Sequence, residues 1–322
     1  MRETDFTYAV ARVRYRETKL LTDTDLTAVF ESKDVESALR LLKDKGWGEG
    51  MVSDDIDAFL KSEEERTWDF VHEIVEDDAF DFFLVPNDFH NLKVAIKAIT
   101  RDESAEGIMI NESLFDADEL FDAVEKREYD RLPEYLQAPA QEAMQVLLQT
   151  SDGQLCDIII DKACLETVYQ MGMQNSDETI KLYAELYVAS ADIKIAVRAC
   201  KTGKSLEFIR RALADCATLD TERLAVSASL SYDDLIAYLS DSEYAAAVPM
   251  IQKSLSAFEK WCDDYLIEKL QPMKWEPFTI GPVFAYIIAR KNEIKAVRMI
   301  LSGKVNGLSE QTIRERLRMM YV

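Results

Sequence analysis

The sequence DIKIAVRACKTGK, residues 192–204, decides the fold class of this chain. Its apolar residues recur every three or four positions, at Ile193, Val197 and Cys200, which is the spacing of one face of an α-helix. Gly203 follows, and glycine readily takes the left-handed conformation at which helices commonly end. The stretch therefore predicts an amphipathic helix that ends at this glycine.

Two related stretches flank this helix in the chain. Residues 292–304 read NEIKAVRMILSGK, and residues 91–99 read NLKVAIKAI. Each of the three stretches has an alanine, an apolar residue and a basic residue in succession, and the basic residues are Lys97, Arg198 and Arg298. We call these three helices the signature helices. Their spacing of about 100 residues is typical of an internal repeat.

A second repeated pattern lies upstream of each signature helix. An acidic residue is followed directly by leucine. Counted from that leucine, an apolar residue lies four positions later, an acid eight positions later, and an apolar or aromatic residue nine positions later; the pattern starts at Asp25, Glu119 and Asp234. Because both patterns occur in the same order three times, the sequence predicts three helical repeat units, each running from an acid-leucine helix to a signature helix. We expect these units over residues 1–107, 108–220 and 221–322.

Composition supports an all-α chain and limits the partners that it can have. Only 10 glycines and 7 prolines occur among 322 residues, which favours helix. The formal charge of −22 argues against binding to nucleic-acid phosphates or anionic lipid, and favours a basic partner. The charged start of the chain and the absence of a long apolar run predict neither a secretory signal nor a membrane span. Five cysteines without a C-x-x-C pair are typical of a reduced, cytoplasmic protein.

No stretch of the sequence has the pattern of an active site. Residues 202–205 read TGKS, but a phosphate-binding loop needs a glycine where Arg198 stands. Such a loop also follows a strand, whereas residues 202–205 follow a predicted helix. His72 and His90 are the only histidines, too few for a histidine-based metal site. We therefore expect no catalytic residue, no metal and no cofactor.

Several motifs together resemble the C subunits of the prokaryotic V/A-type ATPases, which are the counterparts of the eukaryotic d subunit. The motifs are Tyr8-x3-Arg12-x-Arg14-x2-Glu17 near the start, Asn91-Leu92-Lys93, Ile160-Asp161-Lys162, and Glu293-Ile294-Lys295 with residues 308–322 at the end. The resemblance covers the whole chain. The chain departs from the usual Asn-Leu-Lys or Asn-Leu-Arg in two units, which have Asp192-Ile193-Lys194 and Glu293-Ile294-Lys295.

The resemblance implies three similar all-helical domains arranged as a pseudo-threefold funnel. It implies a non-catalytic subunit at the cytoplasmic face of the membrane, which sits on the membrane rotor ring and holds the central shaft of the motor. The candidate partner-contact or structural residues are Tyr8, Arg12, Arg14, Glu17, Asn91, Lys93, Lys97, Arg198, Glu293 and Arg298. Of these, we expect Lys97, Arg198 and Arg298 to pair with carboxylates at equivalent positions of the three units.

Two other classes of function remain open from the residues alone. A helical-repeat scaffold that binds a basic partner would also lack catalytic motifs, although common helical repeats are about 34 to 47 residues long. A hydrolase on an all-α fold would need two carboxylates that face one cleft.

Overall fold

The computed structural model describes residues 6–50, 55–75 and 78–322, and these residues form helices and no strand. The charged start of the chain lies partly outside the described residues. The all-α prediction is confirmed. The helices are α1 (Thr7–Glu17), α2 (Asp23–Glu31), α3 (Val35–Asp44), α4 (Ile56–Ile74), α5 (Val85–Arg101), α6 (Ala117–Lys126), α7 (Glu134–Thr150), α8 (Gly153–Gln174), α9 (Glu178–Lys201), α10 (Leu206–Ala212), α11 (Thr221–Leu230), α12 (Tyr232–Ser240), α13 (Val248–Lys253), α14 (Leu255–Leu270), α15 (Gly281–Val305) and α16 (Glu310–Arg314).

The acid-leucine pattern marks the first turn of three helices, α2, α6 and α12. In each helix the residue before the first turn accepts a hydrogen bond from the backbone N–H of the patterned acid, which satisfies a donor that the helix leaves free. The leucine that follows is buried, at positions 26, 120 and 235. The pattern thus combines a helix cap with a core contact. The capping residues are Thr22, Asp116 and Ser231.

The signature helices are α5, α9 and α15, and in all three the alanine and the next apolar residue are fully buried. The predicted end of α9 is confirmed, because Gly203 has φ +63° directly after the helix. Gly303 follows Arg298 at the distance at which Gly203 follows Arg198, but it does not end a helix: it lies inside α15, which continues to Val305. A Cβ at position 303 would lie 2.6 Å from the Cδ1 of Ile313 in α16, so this glycine allows close packing and does not end the helix.

The contacts divide the chain into two compact units. Unit 1 consists of Met1–Asp77 and Pro249–Val322, and unit 2 of Asp78–Val248. In unit 1, α15 shares a hydrophobic core with α2, α3 and α4, and in unit 2, α5 shares one with α6, α7 and α8. The borders of these units differ from the expected ones near residues 107 and 220, and the division into three repeats stays a prediction.

Candidate partner-contact site

Two of the candidate residues at the start of the chain join α1 to another part of unit 1. Nη1 of Arg14 donates to both carboxylate oxygens of Glu17, at 2.9 and 2.8 Å. Nη2 of Arg14 donates to the carbonyl oxygens of Met273 and Glu276, at 2.6 and 2.9 Å. These bonds attach the end of α1 to the 3₁₀ segment Gln271–Trp275 and the residue after it. Arg14 and Glu17 therefore have a structural role within unit 1.

The other two residues of that motif lie nearer the solvent. Nη1 of Arg12 donates to the hydroxyl oxygen of Tyr8 at 2.7 Å, and Nη2 donates to the carboxylate of Glu73 in α4 at 3.0 Å. The hydrogen bond with Tyr8, followed by the one with Glu73, raises the pKa of Arg12. Tyr8 itself is 62% exposed, so its ring is available to a partner.

An open cleft of about 610 Å³ lies beside the end of α1. Both basic and acidic side chains line it. Lys45 pairs with Asp25 at 2.6 Å, and Arg66 pairs with Glu49 at 3.4 Å. Because carboxylates neutralise two of its cations, the cleft is a poor site for a phosphate group. The charged residues that line it are Arg16, Lys19, Asp25, Asp44, Lys45, Glu49 and Arg66.

Two of the three basic residues of the signature helices pair with carboxylates of a neighbouring helix. Lys97 pairs with Asp157 of α8 at 2.6 Å, and Lys93 pairs with Asp161 of the same helix. Arg298 lies 3.3 Å from Glu64 and 3.5 Å from Asp57, both in α4. Arg198 is exposed on α9. Lys97 and Arg298 therefore contact carboxylates of a neighbouring helix within their own units.

Three polar residues near the start of the shared pattern in the signature helices are buried and hold the backbone of another segment. Asn91 and Asp192 lie six positions before the basic residue of their helix, and Glu293 lies five positions before Arg298. Asn91 accepts from the backbone N–H of Ile110 at 2.8 Å. Asp192 accepts from the N–H of Ala214 at 3.2 Å, and Glu293 accepts from the N–H of Leu21. All three side chains are at most 2% exposed. In α9, aspartate in place of the asparagine keeps the backbone contact but places a carboxyl group in the protein interior; in α15 the neighbouring Glu293 does so beside Asn292.

A buried ion cluster around Arg290 was not foreseen from the sequence. Nη1 of Arg290 donates to Glu293 and Nη2 donates to Glu63 of α4, both at 2.6 Å, while its guanidinium lies 4.8 Å from the ring centre of Trp47. Burial raises the pKa of Glu293, and Arg290 opposes that rise. The sequence does contain a signal for this cluster: Arg290 ends an apolar run and lies three positions before Glu293, which is the spacing of neighbouring side chains on a helix.

The described residues contain no group of three or more histidine, cysteine or acidic side chains that could hold a metal ion. The buried thiols are not prepared for nucleophilic attack, because burial raises the pKa of Cys156 to about 11 and that of Cys164 to about 12. Within the described ranges, no helix combines the length and the apolar character needed to cross a bilayer.

Comparison with known proteins identifies the family. The model of the ATP synthase (C/AC39) subunit family matches residues 9–316. The chain belongs to this family. It is 20% identical to the C subunit of the V-type sodium ATPase of Enterococcus hirae, over 96% of this chain and 97% of that protein. It is 22% and 24% identical to the C subunits of the A-type ATP synthases of Methanocaldococcus jannaschii and Thermococcus kodakarensis, over 97% of this chain and 86% and 90% of those proteins.

Proposed function

We propose that this chain is a non-catalytic subunit of the central stalk of a rotary V/A-type ATPase. In this role it acts as a socket at the cytoplasmic face of the membrane, between the rotor shaft and the membrane rotor ring. It transmits torque during ATP-driven ion transport or ATP synthesis.

The observation that carries the proposal is the family match over residues 9–316, together with relatives that align over nearly their whole length. Those relatives are subunits of a V-type sodium ATPase and of A-type ATP synthases. A match of this extent covers the length of the whole subunit and not one shared segment.

The side-chain contacts of unit 1 agree with a mechanical role. Torque tends to pull helices apart, so a subunit that transmits it needs bonds between segments that are distant in sequence. Arg14 joins α1 to residues 273 and 276, and Arg290 joins α15 to α4. Such bonds resist displacement because each fixes a group in two directions.

The test is assembly with the rotor. The chain is co-expressed with the shaft proteins and the membrane ring of the same ATPase, and the purified complex is weighed by native mass spectrometry. We expect one copy of the chain in complexes that contain both the shaft and the ring, and omission of the chain should separate ring from shaft. A chain that binds neither part, or that binds unrelated basic proteins equally well, would instead be a helical scaffold.

A further inference from the structure

The signature helices bury three polar side chains near the start of their shared pattern, Asn91, Asp192 and Glu293, and these differ in how their charge is compensated. Asn91 carries no charge. Glu293 is a carboxylate with the guanidinium of Arg290 at 2.6 Å. Asp192 is fully buried, and the hydrogen bond it accepts comes from the backbone N–H of Ala214. Its second oxygen, Oδ2, is buried without a hydrogen-bond partner among the residues that the structure describes.

Asn91 shows what a complete contact at this position looks like. Its Oδ1 accepts from the N–H of Ile110 at 2.8 Å, and its Nδ2 donates to the carbonyl oxygen of the same residue at 2.8 Å. One side chain therefore holds both polar groups of one peptide residue. Asp192 holds the N–H of Ala214 in the same way, but an ionised carboxylate has no proton to donate to a carbonyl.

A protonated carboxyl group has the shape and the donor–acceptor pattern of an asparagine amide. We propose that Asp192 is a proton-operated latch. With its proton, it holds the connector between α10 and α11 (residues 213–220, the α10–α11 connector) on α9 by two hydrogen bonds to Ala214; without the proton, it loses one bond and weakens the hold.

The surroundings of Asp192 favour the protonated form near neutral pH. Burial raises the pKa of Asp192 to about 8, while the N–H of Ala214 and the charge of Lys162 lower it. The charged groups that face it are Lys162 and Glu166 of α8 and Asp215 of the connector, and the acidic ones raise its pKa further. The thiol of Cys216 also faces it, but its pKa of about 12 keeps that group neutral.

Glu185 of α9 also holds the α10–α11 connector, and this contact does not require a protonated carboxyl group. Glu185 accepts from the N–H groups of Ala217 and Thr218, from the hydroxyl of Thr218, and from the hydroxyl of Tyr169. Despite its burial, these donors lower the pKa of Glu185, so it stays ionised. Deprotonation of Asp192 should therefore loosen the part of the connector around residue 214 and leave the part around residue 218 attached.

The direction of the pH effect follows from linkage. The pKa of Asp192 is higher in the folded protein than in the unfolded chain, so the folded state binds the extra proton and loses stability as pH rises. The loss begins near the unfolded value of about 4 and is complete above about pH 8.

Amide hydrogen exchange of the full-length chain tests the latch, with the wild type and Asp192→Asn compared at each pH from 5 to 9. The ratio of variant to wild-type protection around residue 214 should grow by up to about tenfold per pH unit, then level off above about pH 8. Residues 108–115, which Asn91 holds, are the internal control and should keep a constant ratio. Parallel profiles of the two proteins around residue 214 would overturn the proposal.

The reciprocal variant keeps the proposal testable if Asp192→Asn does not fold. Asn91→Asp should transfer the pH dependence to residues 108–115 while the connector behaves as in the wild type. A carbon-13 titration of the aspartate carboxyl groups in the wild type gives a direct reading. A signal for Asp192 that titrates near pH 4 would contradict the latch, and one that titrates near pH 8 would support it.

Discussion

The two units bury carboxyl groups by different means. In unit 1, Glu63 and Glu293 share Arg290, the one cation among the buried polar side chains of the described residues. In unit 2, Asp88, Glu185 and Asp192 are buried with backbone N–H groups and hydroxyls around them. The comparison teaches that the charge of a buried carboxyl group is compensated by whatever the neighbouring segments supply, a cation in unit 1 and backbone N–H groups and hydroxyls in unit 2. We therefore expect unit 1 to depend on one cation and unit 2 to depend on pH.

Loss of the buried cation should have the largest effect. Arg290→Met fills similar space but leaves the buried Glu293 without a counter-ion, whereas Glu63 keeps Arg66 at 2.7 Å. Breaking a buried ion pair typically costs about 3 to 5 kcal/mol. Denaturant unfolding that is followed through Trp47, whose ring lies against Arg290, measures the change. The matched control is Arg298→Met, an exposed arginine on the same helix, which should cost under about 1 kcal/mol. Equal losses in the two variants would contradict the special role of the buried cluster.

Removal of one hydroxyl from unit 2 should have an intermediate effect that depends on pH. Tyr135 donates to Asp88 at 2.5 Å, and Asp88 also accepts from the N–H of Phe115. Tyr135→Phe leaves a buried carboxylate oxygen without its donor, for which we expect a loss of about 1 to 3 kcal/mol at pH 7 to 8.

The pH dependence of this variant follows from Asp88. Burial raises the pKa of Asp88, and the hydrogen bond from Tyr135 partly offsets the rise. Without Tyr135 the folded pKa is higher still, so the loss should be smallest near pH 4 and grow as pH rises. Thermal unfolding across this pH range measures it, with Tyr129→Phe as the control on a half-buried tyrosine of the same unit. A loss that is constant with pH would show that Asp88 does not carry the effect.

The exposed cations of the signature helices should have the smallest effects one at a time. Lys97 and Arg298 are each about one-third to one-half exposed where they contact carboxylates, so Lys97→Ala and Arg298→Ala should each cost under about 1 kcal/mol. Charge reversal of Lys97, Arg198 and Arg298 together should nevertheless weaken the coupling of ATP hydrolysis to ion transport, because we expect the three to act at equivalent positions. A triple variant that assembles and couples normally would show that these residues do not contribute to coupling.

Local sequence signals predicted the acid-leucine helices, the signature helices and the end of α9, because periodicity and a left-handed glycine act over a few residues. The family was also predictable, since its motifs are spread along the whole chain. The position of Gly303 inside α15 could not be predicted in this way, because it depends on Ile313 packing from α16. The pairing of Arg290 with Glu63 depends likewise on a contact between residues 227 positions apart.

The repeated pattern drew attention to candidate residues but did not predict their contacts. The pattern marked Asn91, Asp192 and Glu293 as places where its residues vary, and the structure shows that each is buried and accepts from a backbone N–H group. The repeated pattern did not show that Glu293 has a cation beside it, because Arg290 belongs to α15 and lies outside the repeated pattern. Whether the candidate residues contact a partner stays a prediction.

The number of ions transported per ATP hydrolysed tests the central proposal most directly. The complete ATPase is reconstituted in vesicles with this chain, and again without it, at equal catalytic content. We predict a fixed ratio when the chain is present, and ATP hydrolysis with little or no ion transport when it is left out. The same ratio with and without the chain would contradict the proposal that it couples the shaft to the membrane ring.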